Sequence, residues 1–542
     1  MPVIGQADIM ILLSYFIIIL IVAVYFSKNH HHSVEDYFLA GRDLGWLVLG
    51  FSLFATNIST EHFSGLAGYG SVNGLAVGNI EWMAIIFLML LGWLFAPLLL
   101  KEKILTVPEF FGKRYNVKIR FIVSGISVML YILTKIAISL FAGGMILKEV
   151  FGLNIYISAI VILTITGLYT IVGGLRTVVY TAFLQAFLII LAGILLTAFG
   201  IHEIGGLSSF KTHLPAEFFK MIKPVSDPDF PWTGVILGAP ILALWYWCAD
   251  QYIVQKLLGA RSIADARNGA ILTGFLKLLP VFILVVPGLI AAVLFPGSRG
   301  DHAFSMLILS DLLPGGFKGI VLVGVISAMM SSLSSSFISA SSLITLDFYK
   351  YFNPEASEKK LVLIGKLSTI FIVVLSILWI PLIRLMTTYL YVSLQQIQAY
   401  ISPPIAAVFI FGIISGRVNS FGAIWSLIIG EFLGLLRLLG DVSGLQSLAN
   451  GTILSHFFTV NFLHFAVFSF LVSTVVLFGL SYVRSELSLT ELNKYSIPKM
   501  IHFMRNASPD LTLNATNQLQ MGYMLSAILI GSLLIFWGVF VL

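Results

Sequence analysis

Apolar runs of membrane-spanning length follow one another along almost the whole of this chain, and that feature sets what it can fold into. A helix crosses the hydrocarbon core of a bilayer with about 20 mostly apolar residues. Within lipid, backbone N–H and C=O groups have no water to bond, so a spanning segment must satisfy them itself, as a helix does. Runs bounded by charge, Gly or Pro predict fourteen transmembrane helices, at 8–27, 44–71, 77–100, 119–147, 154–173, 178–202, 231–256, 266–296, 316–346, 361–386, 389–414, 420–438, 455–482 and 519–541. In 542 residues these leave no room for a sizeable water-soluble domain, so the chain reads as an all-α polytopic membrane protein. Charged residues are only 10% of it, against about 25% in soluble domains, which excludes a soluble enzyme. Met1–Asp8 lacks a basic stretch, so the first run, from Ile9, is expected to remain as a helix instead of serving as a cleaved signal peptide. Cys248 is the only cysteine, so no internal disulfide is available.

The connections sort by charge. Those after the odd-numbered helices hold Lys28, Arg42, Lys103, Lys113, Arg114, Arg176, Arg261, Arg267, Lys350, Lys359, Lys360, Arg417, Arg484 and Lys499, and the alternate ones are sparser in Lys and Arg. The positive-inside rule makes the first set cytoplasmic and puts both termini outside. The net charge of +6 is therefore loop charge that orients the chain, and carries no nucleic-acid inference. The long connections, 203–230 and 484–518, read as polar loops with at most a short surface helix.

Two spans look interrupted at comparable points. Phe54 to His62 places small and polar residues mid-membrane, and Gly238-Ala239-Pro240 precedes Trp245 to Gln251. These spans head two successive five-helix blocks, 44–202 and 231–414, and broken helices at matching points of two halves indicate an inverted-repeat transporter with its site at the midplane. Segment 1–43 then holds a leading helix, 203–230 an extracellular loop, and 415–542 the trailing helices.

Ionisable groups at membrane depth cost a few kcal/mol each, so Glu61, Glu81, Lys135, Asp250 and Lys277 need partners or a water-filled cavity. Lys277, flanked by Leu276, Leu278 and Leu279, must point into the bundle, toward a solute or into an ion pair with Glu61 or Asp250. Ser327 to Phe337 is rich in hydroxyls, and Ala328, Ser331 and Ser332 stand at i, i+3 and i+4, on one helix face. A hard monovalent cation stripped of water needs about five or six oxygens, which two hydroxyls and the carbonyls freed at a helix break would supply. The same serines also serve close helix packing in lipid.

Together these segments resemble the sodium/glucose cotransporters of the sodium:solute symporter family. The likeness rests on Asp36 to Arg42, the Asn57-to-Gly70 stretch with Glu61-His62-Phe63, Glu81-Trp82, Trp245 to Gln255, Gly274 to Pro280, Ser331-Ser332-Leu333 and Pro403-Pro404, and covers nearly all of 8–440 in order. It implies a LeuT-type 5+5 inverted repeat with one leading and three trailing helices. It also implies a sodium site made of the carbonyls of Ala55, Ile58 and Ala328 with the hydroxyls of Ser331 and Ser332. The sugar positions fall on Asn57, His62, Glu81, Lys277 and Gln395, with Tyr246 as an aromatic plate and inner gate and Trp247 beside it. Outer-gate positions fall on Leu66, Ile80 and Tyr391, expected to close as an apolar lid. These residue types suit a sugar, whose hydroxyls both donate and accept while an aromatic face covers its C–H surface.

The resemblance implies a sodium-coupled importer of a glucose- or galactose-type sugar, with sodium as the coupled ion and the lipid bilayer as its setting. Ala182 stands where many relatives carry an Asp that helps bind a second cation, so one sodium per solute is expected. Ala84 and Ala243 lack hydrogen-bonding groups that some relatives offer. Large cysteine-bearing outer loops of animal members are absent, which points to a bacterial inner membrane. A myo-inositol or other polyol carrier is the alternative, and a sodium-permeable sugar sensor is a weaker one. The spans hold no His-Glu-x-x-His pair and no Gly-x-Ser-x-Gly elbow, so no enzyme is expected.

Overall fold

The computed structural model describes residues 4–27, 33–297, 300–383, 390–443, 453–484 and 513–541. The helices that position the site are α1 (Gln6–Ser27), α2 (Trp46–Asn57), α3 (Ala67–Asn73), α4 (Gly78–Leu90), α5 (Val117–Leu130), α6 (Ala137–Phe151), α7 (Ile155–Glu203) and α8 (Ala239–Leu244). They continue as α9 (Gln251–Leu258), α10 (Ile263–Leu276), α11 (Phe317–Ser342), α12 (Glu358–Ile383), α13 (Leu390–Ile414), α14 (Ser420–Ser443), α15 (Phe462–Val483) and α16 (Leu513–Val541). The hydroxyl-rich helix α11 is buried along nearly its full length and packs against α7, α1 and α12. Its serines therefore face protein and not lipid. The outer surface is apolar instead: Ile9, Met10, Leu13, Ile17 and Ile21 of α1 are exposed, as a lipid-facing helix requires.

Among the described residues, twelve helices are long and apolar enough to cross a membrane, against the fourteen expected. Two chain reversals account for where the counts part. Helix α7 runs 49 residues, about 74 Å at 1.5 Å per residue, more than twice a hydrocarbon core of about 30 Å. It turns at Gly174, whose φ of 56° and ψ of −158° are not helical. A side chain there would meet the Tyr37 carbonyl oxygen at 2.6 Å. Similarly, Gly74 (φ 79°, ψ −148°) separates α3 from the turn leading to α4.

The first interruption lies where expected. Helix α2 ends at Asn57, Ile58 is extended (φ −80°, ψ 111°), and the chain re-enters a helix from Thr60 through a wide π turn, His62–Leu66. The second is displaced from Gly238-Ala239-Pro240, where the backbone stays near helical, to Asp250 (φ −87°, ψ 124°), after a π turn over Trp245–Ala249. Asp250 accepts the Tyr252 N–H at 3.2 Å and so caps α9. The expectation of a merely polar 203–230 loop needs correction as well. Phe210, Phe218, Met221 and Phe230 are buried, the Met221 carbonyl accepts from Asn79 Nδ2 at 2.7 Å, and the segment caps one end of the bundle.

The basic connections gather on one face. Arg42 donates to the carbonyls of Ile104 (3.0 Å) and Leu258 (3.3 Å), Arg176 to Ala40 (3.0 Å), and Arg114 to Gly412 (2.6 Å) and Ser415 (3.0 Å). Lys28, Lys499 and most of 484–518 lie outside the described residues.

Candidate functional site

Both helix breaks meet at one place. The Tyr252 hydroxyl, on the first turn after the second break, donates to the Thr56 carbonyl at 2.7 Å, just before the first break. The last carbonyls of α2 have no helical partner of their own and form the negative end of its dipole. Helix α11 presents its hydroxyls to them. Ser331 Oγ donates to the Ala55 carbonyl (2.7 Å) and the Ala328 carbonyl (3.0 Å), and Ser332 Oγ to the Thr56 carbonyl (3.2 Å). Ala55, Ala328 and Ser331 are fully buried, and Ser332 nearly so. The structure thus brings together the Ala55, Ala328, Ser331 and Ser332 oxygens beside the break at Ile58. Thr56, whose carbonyl joins them, had no side-chain signal in the sequence. This cluster contains only neutral oxygens, the donor set a hard monovalent cation takes. Ser334 and Ser335 turn their hydroxyls to the Ser331 carbonyl at 3.1 and 2.7 Å, and Ala182 is fully buried.

Next to the cluster is a cavity of about 60 Å³ lined by Asn57, His62, Glu81, Tyr246, Trp247, Lys277 and Gln395, every position expected for a solute. Ile80, Tyr391 and Ser332 line it too, as do Ala84 and Ala243. Leu66 is fully buried and is not part of the lining. A water needs roughly 10–15 Å³ of such space, so a solute larger than a few waters enters only by moving side chains.

The ion pairing differs from the sequence expectation. Lys277 pairs with Glu81, not with Glu61 or Asp250, and its ammonium also donates to Asn57 Oδ1 at 2.7 Å. The fold lowers the cost of this buried pair. Glu81 sits in the first turn of α4 and Lys277 at the C-terminal end of α10, where the helix dipoles favour each charge. Asn57 Nδ2 donates to the Tyr246 hydroxyl at 3.1 Å, so Glu81, Lys277, Asn57 and Tyr246 form one connected wall. Tyr391 was expected as part of an apolar lid, yet its hydroxyl donates to Glu81 Oε1 at 2.7 Å. The His62 ring lies edge-on to Tyr391 at 5.3 Å, with Nε2 3.7 Å from Glu81.

A second buried pair joins Lys135 to Asp250 at 2.6 Å, and the Tyr131 hydroxyl also donates to Asp250. The Lys135 ammonium lies over the rings of Tyr252 (3.8 Å) and Tyr246 (4.6 Å). Sequence reasoning marked Lys135 and Asp250 as costly but gave neither a place in the site, although Lys135 lines the cavity. A usable signal is local: His62, Lys135, Tyr246 and Trp247 all fall in π turns, which recur at functional sites.

Above the cavity the chain is closely packed. A Cβ on Gly65 would come within 2.5 Å of Tyr391 Cβ. Asp301, in the loop beyond, accepts the Leu390 N–H at 3.0 Å, and burial raises its carboxyl above the ordinary range. The Gly300 N–H donates to Ser71 Oγ at 2.9 Å.

Comparison with known proteins gives a consistent result. The profile of the sodium:solute symporter family matches residues 37–430. Sodium/glucose cotransporter 1 of Ovis aries is 37% identical over 525 residues, covering 88% of this chain and 78% of that protein. The sodium/myo-inositol cotransporter of Homo sapiens is 37% identical over 484 residues, covering 81% and 67%. Among solved structures, a Na+-coupled sialic acid symporter in an outward-open state superposes with a TM-score of 0.77 at 22% identity, over 89% of this chain and 98% of that one. A nucleobase-cation-symport-1 family transporter in a closed conformation gives 0.52 at 13% identity, over 91% and 99%.

Proposed function

The chain belongs to the sodium:solute symporter family, and from that premise we propose that it imports a glucose- or galactose-type monosaccharide with sodium, by alternating access. It is a LeuT-type membrane transporter and not an enzyme. The observation that carries the sugar reading is the connected wall of Glu81, Lys277, Asn57 and Tyr246 beside the neutral oxygen cluster, separated from it by only the helix break. Donors and acceptors of both kinds meet an aromatic face there, which is what a pyranose requires.

In this reading sodium takes the carbonyls of Ala55, Ile58 and Ala328 with the hydroxyls of Ser331 and Ser332. The cation replaces hydrogen bonds that tie α2 to α11 and so fixes the broken helix in the form that presents Asn57 and His62. Sugar hydroxyls engage Asn57, His62, Glu81, Lys277 and Gln395, with Tyr246 and Trp247 beneath. Leu66, Ile80 and Tyr391 close the outer side, and Tyr246 the inner. The blocks 44–202 and 231–414 move against each other, with 1–43, 203–230 and 415–542 as flanking parts. Coupling is the difference in sodium affinity between the two states. With Ala182 offering no carboxylate, one sodium accompanies each solute. The protein sits in the cell membrane, with the basic loops in the cytoplasm, both termini outside and a bacterial inner membrane as host. Lipid and sodium are then its partners besides the solute, and nucleic acid is not.

A myo-inositol carrier is the second reading, favoured by a relative of that name as similar as the glucose carriers. Uptake of radiolabelled glucose into vesicles, with and without a sodium gradient and with competing inositol, decides. Sodium-dependent glucose uptake that inositol leaves intact is expected. Equal uptake in both salts overturns symport, and stronger competition by inositol than by unlabelled glucose replaces the sugar.

A further inference from the structure

Around the helix breaks the membrane interior holds three buried lysines, Lys135, Lys256 and Lys277, and three buried carboxylates, Glu61, Glu81 and Asp250. Two carboxylates have their own cation: Glu81 has Lys277 and Asp250 has Lys135. The remaining two groups are left over. Lys256, in the last turn of α9, donates to the Ser52 carbonyl at 3.3 Å and to Thr56 Oγ1, and forms no ion pair among the described residues. Glu61 lies directly beyond the first break, is 5% exposed and lines the cavity together with Ser332. Its Oε2 has no hydrogen-bond partner among the described residues, while Oε1 is within reach of Ser59 and stands 4.0 Å from the His62 ring. The latter distance is beyond hydrogen-bond range. Isolated buried carboxylates are costly. The dipole at the start of a helix offsets part of this cost.

Resting on the symport reading above, we propose that the Glu61 carboxylate is the counter-charge of the transported cation, setting sodium affinity without reading the sugar. The cage itself carries no formal charge, and the Lys256 side-chain nitrogen lies against Thr56, at the edge of that cage. A monovalent cation arriving there meets only neutral oxygens and the partial negative end of the α2 dipole unless a carboxylate faces the same space. Of the two carboxylates lining the cavity, Glu81 forms an ion pair with Lys277, whereas Glu61 forms none with a lysine among the described residues, Lys135 in the same lining acting on it only at longer range. Through a dry interior its field acts over several ångströms with little screening. The cation, and not a sugar hydroxyl, is then what its unpartnered oxygen faces.

The test uses the full-length protein in proteoliposomes. Sodium is titrated without solute while the intrinsic fluorescence of the tryptophans, Trp247 in the cavity wall among them, is followed, and glucose uptake is then measured at saturating sodium. In Glu61→Gln the half-saturating sodium concentration should rise about tenfold, with or without sugar, while the KM for sugar stays within about twofold. Glu61→Asp, which keeps the charge, should fall between the two and covers a failure of the Gln variant to fold. Unchanged sodium half-saturation in these variants overturns the inference, as does a shift confined to the sugar KM, which would make Glu61 a solute ligand. A wild-type protein that shows no sodium response at all overturns the symport reading itself and this inference with it.

Discussion

At the residue scale the proposed site sets neutral oxygens beside charged pairs, and if the first serve an ion and the second a solute, the two should separate on mutation. Ser332→Ala removes one oxygen of the cage and leaves the Thr56 carbonyl without that donor. A hydrogen bond's worth of stabilisation is lost, about 1–3 kcal/mol, so half-saturating sodium should rise roughly tenfold or more while sugar affinity at saturating sodium barely changes. Sodium-only fluorescence titration reads the first and uptake kinetics the second. Lys277→Ala acts in the other direction. It weakens sugar affinity, and it also strands Glu81 at 2% exposure without its cation. Breaking such a pair from one side costs about 3–5 kcal/mol. The single variant should therefore melt earlier than the wild type, and Lys277→Met combined with Glu81→Gln should recover the melting temperature but not the uptake. A double variant that stays as unstable as the single one would contradict this.

At the element scale the decisive devices are close approaches that only glycine permits. Gly65 lies against Tyr391, where a Cβ would stand 2.5 Å from Tyr391 Cβ and 2.7 Å from its backbone nitrogen. Gly65→Ala should keep α13 from seating on the His62–Leu66 turn. Overpacking of this kind costs about 1–3 kcal/mol, a shift of roughly five- to hundredfold toward the outward-open form. Sodium-only binding should survive while uptake falls by a similar factor, and full uptake in this variant would rule out closure at that contact. These approaches explain what was legible beforehand and what was not. The Phe54–His62 interruption is written in the residues themselves, because polar groups mid-membrane have no reason to be there unless the helix opens. The second break is less plainly written: Pro240 drew attention to the wrong turn, since a proline two residues inside a new helix is tolerated, while the local cap of Asp250 on the Tyr252 N–H marks the true start of α9. Pairing was hidden for a different reason. Lys277 and Glu81 are 196 positions apart and meet because α4 and α10 present opposite dipole ends to each other.

At the scale of the whole molecule, the proposed ratio of one sodium per sugar sets how much work one cycle can do. One charge crossing about 100 mV contributes roughly 2.3 kcal/mol, and a tenfold sodium gradient about 1.4 kcal/mol more. Together they sustain a solute gradient of several hundredfold. Reversal potentials measured while the two gradients are varied should give one charge per sugar, and a value near two would require a second ion site. The same fold also determines how faithfully the two cargoes are kept together. Helix α9 is held to its surroundings by Tyr252 on Thr56, Lys256 on Ser52, Gln255 on Phe38 and Gln251 on Val107 and Ser342. Because one eight-residue rod carries all of these ties, it is expected to come away from its neighbours as a unit. Partial fraying that would let a lone ion slip through is thereby suppressed, and leakage between cycles should be rare.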